Sequence, residues 1–254
     1  MLNSNIKELK SILGETSVST DPVDLATYGK DWLSDYTPKA SAILFPKNHE
    51  EVLSIVNLAN KNKFSLIPSG GRTGLSGGAT AQNGEFIISL NKIKKIYEIN
   101  TEARFIRCDA GVITQTAQEA AKEKGLFLPI EFASQGSSQI GGNIATNAGG
   151  IRVVRYGVTR DIVLGLKVVT GKGEELELNG SLLKNNTGYD LKQLFIGSEG
   201  TLGVITEATL KLTNVPKDPV RLLCGVSSLD HILKILKKTR DSFNFLNCFE
   251  YFSR

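Results

Sequence analysis

Glycine placement constrains this sequence more than any other feature. Of 25 glycines, five lie in residues 70–78, five in residues 136–150 and three in residues 197–203. Glycine is required where φ is positive or where another group must come close to the backbone. Taken singly, each cluster reads as a tight turn. Three of them, far apart in sequence, are expected to be loops that meet around one ligand.

Composition bounds what surrounds those loops. With 254 residues and 41% hydrophobic content, the chain can bury one large core or two small ones. Charged residues make up 22% and the net charge is +4, which excludes a disordered tail and a strongly basic nucleic-acid binder. Cys108, Cys224 and Cys248 are too few and too scattered for a disulfide framework or a CxxC metal site. With His49 and His231 as its two histidines, the chain is not expected to hold a metal through histidine ligands. No apolar run approaches the roughly 18 residues of a transmembrane helix, and the start lacks a signal-peptide core. The expected compartment is the reducing cytoplasm, with peripheral association to the inner membrane only through an electron acceptor.

The apolar spacing predicts a short amphipathic helix over 5–13 and an irregular stretch over 16–38, with Pro22 and Pro38 as breakers. A strand at 41–46, a helix from an Asn48 cap to about Lys61, and a strand at 64–68 form a compact βαβ unit. Its second strand runs directly into the first glycine cluster. Strands follow at 85–90, 96–100 and 104–109, then a helix at 114–124. Two strands at 161–170 and 174–179 are joined by Gly171-Lys172-Gly173, a hairpin signal. A short helix at 190–196 precedes a strand at 202–212. Beyond the linker prolines Pro216 and Pro219, the tail reads as strand 221–227, helix 229–239 and strand 245–252. That is a βαβ beginning which stops in its second strand, so the chain is read as a truncated protein or a fragment. An apolar surface open to self-association is expected with it.

The common nucleotide signatures fail. The one glycine pair two apart, Gly171/Gly173, is followed by Leu176 where G-x-G-x-x-G needs glycine, and neither Gly29-Lys30 nor Gly171-Lys172 completes a P-loop. A G-x-S-x-G nucleophile elbow is also missing. The first cluster, Pro68-Ser69-Gly70-Gly71-Arg72-Thr73-Gly74-Leu75-Ser76-Gly77-Gly78, has the successive backbone donors, hydroxyls and single cation of an anion nest, and a diphosphate is its natural guest. The second, residues 134–150, carries no charge; its amides and hydroxyls among glycines suit a flat heterocycle and a polyol chain. The third, Gly197-Ser198-Glu199-Gly200-Thr201-Leu202-Gly203-Val204-Ile205-Thr206, spaces glycines by three and leads into a strand.

These three segments resemble the FAD-binding, PCMH-type domain of the vanillyl-alcohol oxidase superfamily. More narrowly, they resemble the FAD/FMN-containing dehydrogenases of D-2-hydroxy acids (D-lactate, glycolate and D-2-hydroxyglutarate). Residues 68–78 are similar to that family's pyrophosphate loop, residues 140–157 to its central block, and residues 197–206 to its closing block. The likeness covers about residues 20–215. It implies an α+β fold: an FAD-binding domain over 1–215 of two α/β subdomains, roughly 20–95 and 96–215, followed over 216–254 by the incomplete start of a ferredoxin-like α+β cap domain.

By resemblance, Ser69, Gly70, Gly71, Arg72, Thr73, Gly74 and Leu75 wrap the FAD diphosphate. Gly136, Ser137, Gly141, Gly142, Ile144, Thr146, Asn147 and Gly149 line the flavin with its ribityl and adenosine arms. Gly203, Val204 and Ile205 contact FAD through backbone groups. Members with covalent flavin commonly carry a histidine in the first loop; Arg72 stands here instead, so the flavin is expected to be non-covalent. The resemblance implies oxidation of a D-2-hydroxy acid to the 2-oxo acid, with a hydride equivalent passed to flavin N5. The electron acceptor and the catalytic base are unassigned. In this family the substrate groups, and in some members a divalent metal, lie in the C-terminal cap. The Arg152/Arg155/Tyr156 trio is the candidate to reach the substrate side of the flavin. Two alternatives stay open: a catalytically inactive FAD-binding module, and another flavoenzyme of the superfamily with a different substrate. A carbohydrate- or nucleotide-binding module without redox chemistry is a more distant third.

Overall fold

The structure, a computed structural model, describes residues 1–33, 35–217, 220–243 and 245–253. Pro219, one of the two linker prolines, lies outside the described residues. In chain order the elements begin with α1 (Leu2–Leu13), β1 (Val18–Ser19), α2 (Pro22–Tyr28), β2 (Ala42–Leu44), α3 (His49–Asn62), β3 (Leu66–Ser69) and β4 (Phe86–Ser89). Next come β5 (Ile96–Asn100), β6 (Phe105–Asp109), α4 (Thr114–Glu123), β7 (Leu126–Phe127), α5 (Ile140–Ala145) and α6 (Val153–Tyr156). The remainder is β8 (Val163–Thr170), β9 (Glu175–Leu178), α7 (Lys192–Phe195), β10 (Gly203–Lys211), β11 (Thr213–Asn214) and α8 (Leu229–Ser242).

Two larger sheets organise these elements, and β11 and β7 form a two-stranded antiparallel sheet beside them. The first has the order β1-β2-β4-β3, with β2 and β3 both parallel to β4 and β1 antiparallel at the edge. The βαβ unit is therefore split, because β4 inserts between the two strands that α3 connects. That position explains the uninterrupted apolar run of Phe86-Ile87-Ile88: a central parallel strand is covered on both faces. The second sheet is antiparallel, in the order β5-β6-β10-β8-β9.

One buried cluster runs through both sheets. Leu9 and Leu13 of α1 and Val52, Ile55 and Val56 of α3 pack with Leu44 and Ile88, and the same cluster continues through Ile106, Val168 and Leu210. The opposite face of the parallel sheet, Ile43 and Ile87, is covered by Leu25 and Tyr28 of α2.

The expected helix 49–61 forms, and its cap is as predicted: Asn48 Oδ1 accepts the Glu51 N–H at 2.8 Å. The Glu51 carboxylate reaches back one residue further than a capping box requires and accepts the Lys47 N–H at 2.8 Å. Two expectations need correction. The stretch 16–38 is not wholly irregular, because α2 forms within it. Pro22 opens that helix rather than breaking it, with Asp21 Oδ1 accepting the Val23 N–H at 2.8 Å. In the tail, α8 is present, but residues 221–227 and 245–252 form no strand. A helix satisfies its own backbone, whereas a strand needs a neighbour's N–H and C=O groups, and among the described residues no strand pairs with these segments. Among the described residues, no helix is long and apolar enough to cross a membrane.

Candidate functional site

The first glycine loop leaves β3 and is clamped from an unexpected direction. Asp31 is buried; its carboxylate accepts the Gly77 N–H at 2.8 Å, the Leu33 N–H at 3.0 Å and the Thr80 hydroxyl at 3.3 Å. The Trp32 N–H donates to the Gly74 carbonyl at 3.0 Å, and the Ala81 N–H to that of Gly29 at 2.8 Å. The segment just after α2 thus fixes the loop's path. Arg72 sits in the left-handed region at φ 56°, and its guanidinium carbon lies 4.4 Å from the centre of the Tyr28 ring. Burial lowers its pKa without discharging it. Thr73 is half-buried, and Gly74 and Leu75 are exposed at the loop's outer edge.

The second segment presses against this loop. Residues 134–138 turn tightly, with the Ser137 and Ser138 N–H groups donating to the Ser134 carbonyl at 2.9 and 2.8 Å. A Cβ on Gly71 would stand 2.2 Å from the Ser137 carbonyl oxygen, so only glycine lets the two backbones touch. Gly70 faces Gln139 and Gly142, while Gly142 has nothing within 4 Å of its own Cβ position and opens onto free space. Beneath them, the Thr114 hydroxyl lies 2.8 Å from that of Ser138 and accepts from Asn143 Nδ2 at 2.6 Å.

The third segment closes the arrangement from the other side. The Gly197 N–H donates to the Ile144 carbonyl at 3.0 Å and the Glu199 N–H to that of Ala145 at 2.9 Å. A Cβ on Gly78 would stand 3.0 Å from Glu199 Oε2, and one on Gly200 would stand 3.1 Å from Pro68 Cγ. Each glycine cluster therefore touches the other two.

The sequence-selected residues divide by position. Ser69, Gly70, Gly71, Ser137 and Gly142 surround the junction of the first two segments. Gly136 lies near Gln115, Thr146 caps the end of α5 through a 2.9 Å bond to the Gly142 carbonyl, and Asn147 accepts the Arg160 N–H at 2.9 Å. Gly149 packs on Val153 and Val158. Gly141 packs on Ala110, Gly203 on the β8 backbone, and the side chains of Ile144, Val204 and Ile205 belong to the core. Those last five offer a ligand backbone groups at most. Arg152 is paired with Glu131, and Arg155 donates to Asn247 Oδ1 at 2.8 Å, so two of the trio are engaged within the chain.

His49, expected to be an ordinary surface or partly buried residue, proves to be buried. It is 8% exposed, with Nδ1 2.7 Å from the Thr206 hydroxyl and Nε2 2.6 Å from Glu175 Oε2, and so joins α3 to the antiparallel sheet. Burial and the nearby Lys167 lower its pKa, against the opposing pull of Glu175.

Among the described residues, buried polar atoms without a hydrogen-bond partner gather at the junction: Ser69 Oγ, Ser89 Oγ, Arg72 Nη1 and Gln139 Oε1, with Gln135 Oε1 in the second segment. Ser69 and Ser89 are register partners on β3 and β4 and point to one face. An unmade buried hydrogen bond costs about 1–3 kcal/mol, so such a cluster calls for a polar guest. One cation, two hydroxyls and an amide oxygen around glycine backbones fit a molecule bearing both phosphate and alcohol groups. Asp31 and Ser89 escaped sequence reasoning because neither lies in a glycine cluster; an aspartate soon after a helix is an ambiguous signal.

Residues 40–179 match the FAD binding domain family. A D-2-hydroxyglutarate dehydrogenase of Stutzerimonas stutzeri is 52% identical over 248 residues, covering 98% of this chain and 53% of that protein. A D-2-hydroxyglutarate dehydrogenase of Xanthomonas citri pv. viticola is 47% identical over 253 residues, covering 100% of this chain and 53% of that protein. The chain thus spans about half the length of these curated relatives. Among solved structures, an alkyldihydroxyacetonephosphate synthase superposes with a TM-score of 0.80 at 23% identity, over 94% of this chain and 46% of that one.

Proposed function

The chain belongs to the FAD binding domain family, and from that premise we propose that it is the flavin-holding portion of an oxidoreductase that converts a D-2-hydroxy acid to the 2-oxo acid. The observation that carries the cofactor site is the junction of three glycine segments lined by unpartnered buried polar atoms. Residues 1–215 form the FAD-binding unit, and residues from 216 onward start a separate cap. Ser69, Gly70 and the backbone donors through Gly74, with Arg72, hold the diphosphate. Ser137, Gly142 and Gln139 border the polyol chain, and the remaining family positions support them through the backbone. The bound flavin supplies the redox chemistry, and the protein's part is to bind, orient and desolvate it. No histidine or cysteine lies in the first two segments, so the flavin is held without a covalent link there.

The hydroxy-acid substrate class is supported by the names of the relatives, two of which are D-2-hydroxyglutarate dehydrogenases. A cytoplasmic setting agrees with three free cysteines. The test is a chimera in which this chain replaces the matching half of the Stutzerimonas relative. Loaded with FAD and kept anaerobic, the chimera is expected to bleach its flavin on mixing with D-2-hydroxyglutarate, D-lactate or glycolate, whereas the 254-residue chain alone does not. A folded, FAD-loaded chimera that no acid reduces would contradict the substrate assignment.

A further inference from the structure

Two of the free atoms, Gln135 Oε1 and Gln139 Oε1, differ in chemistry from their neighbours, and that of Gln139 lies against the first loop. Ser69, Ser89 and Arg72 can all donate, as a diphosphate requires, but the free atom of Gln139 is a carbonyl oxygen, which only accepts. A diphosphate oxygen carries no proton to give it. The side chain is held in place: Gln139 is 5% exposed, and its Nε2 donates to Asn91 Oδ1 at 2.7 Å. Asn91 Nδ2 in turn reaches the Tyr28 hydroxyl at 3.5 Å, beneath the Arg72 guanidinium. This chain leaves Gln139 Oε1 facing the loop, 3.4 Å from where a Cβ on Gly70 would stand. The atom therefore needs an alcohol or N–H donor immediately beside the phosphate site.

Resting on the flavin-binding reading above, we propose that Gln139 Oε1 accepts a hydrogen bond from a sugar-alcohol hydroxyl flanking the diphosphate, and that Asn91 is the positioning residue that orients its amide. FAD offers such hydroxyls on both sides, the ribityl 4′-hydroxyl and the adenosine ribose hydroxyls. Gln139 thereby fixes how far the FAD slides past the phosphate loop.

The test is a coupling measurement by calorimetric titration of the apoprotein, using FAD, its 4′-deoxyribityl analogue and its 2′,3′-dideoxyadenosine analogue. Wild type is expected to bind one of the two analogues roughly tenfold more weakly than FAD, the size of one neutral hydrogen bond. Gln139→Met is expected to weaken FAD roughly tenfold and to show no further loss with that same analogue. Asn91→Ser, which keeps Gln139 but frees its amide, is expected to give a smaller loss that also disappears with that analogue. It serves as the second probe should Gln139→Met fail to fold by circular dichroism. The analogue that shows coupling identifies the hydroxyl. Additive losses with both analogues, or unchanged FAD affinity in folded variants, would overturn the role of Gln139. A wild-type chain that binds no FAD would instead overturn the underlying reading, and this one with it.

Discussion

The tail, residues 220–253, is richer in apolar residues than the body of the molecule, residues 2–214, yet it buries far fewer of them. In the body, Leu9, Ile43, Ile88, Ile106 and Leu210 are fully buried. In the tail, Leu222 and Leu223 are 85% and 87% exposed, and α8 has no buried residue at all. Burying such side chains is worth about 1.5–3 kcal/mol each, a gain the tail leaves unrealised. The lesson is about which backbone can stand alone. The tail keeps its helix, whose hydrogen bonds are internal, and loses both strands, whose hydrogen bonds are not. Its contact with the body includes Arg155, which donates to the Phe245 carbonyl at 3.4 Å and to Asn247.

Glycine substitutions sharpen the contrast most. Gly71→Ala sets a Cβ 2.2 Å from the Ser137 carbonyl oxygen and forces the first two segments apart. Overpacking of this kind costs about 1–3 kcal/mol, and FAD affinity measured by titration is expected to fall roughly a hundredfold. Gly142→Ala separates ligand from fold, because the protein leaves that space empty. Its melting temperature should hold or rise, since alanine suits a helix interior better by about 0.5–1 kcal/mol, while FAD affinity drops. Gly225 in the tail also has nothing within 4 Å, and Gly225→Ala should move neither quantity. Equal losses of FAD affinity at Gly142 and Gly225 would break the distinction between the two regions.

A smaller effect concerns the link between the sheets. The folded protein holds His49 with a pKa below its ordinary 6.5, chiefly through burial. The unfolded chain therefore binds more protons in mildly acidic solution. The stabilisation is complete above pH 6.5 and declines as pH falls through the lowered value. Melting temperatures followed down from neutral pH should show this slope, and His49→Gln should flatten it. Removing the tail should leave it unchanged. An identical slope in His49→Gln would mean that other groups carry it.

Much of this was legible in the sequence, for identifiable reasons. The strand–helix–strand unit, the Asn48 cap, the Gly171–Gly173 hairpin and the meeting of three glycine clusters all have local signatures. What escaped depends on distant partners. Asp31 clamps the glycine loop from 46 residues away, yet nothing near it in sequence announces that role. His49 meets Thr206 across 157 residues. The insertion of β4 between β2 and β3 is a topological choice that apolar runs do not encode. The tail differs in the other direction: its local pattern spelled strands, and among the described residues no strand pairs with those segments.

The central claim is that the body alone carries a complete FAD site. Its most direct test is parallel titration of FAD into the apoprotein of the whole chain and of residues 1–215, followed by flavin absorbance and calorimetry. Both are expected to bind one FAD with the same affinity and to release it on acid precipitation. Binding by the longer chain alone, or saturation by neither, would contradict the account.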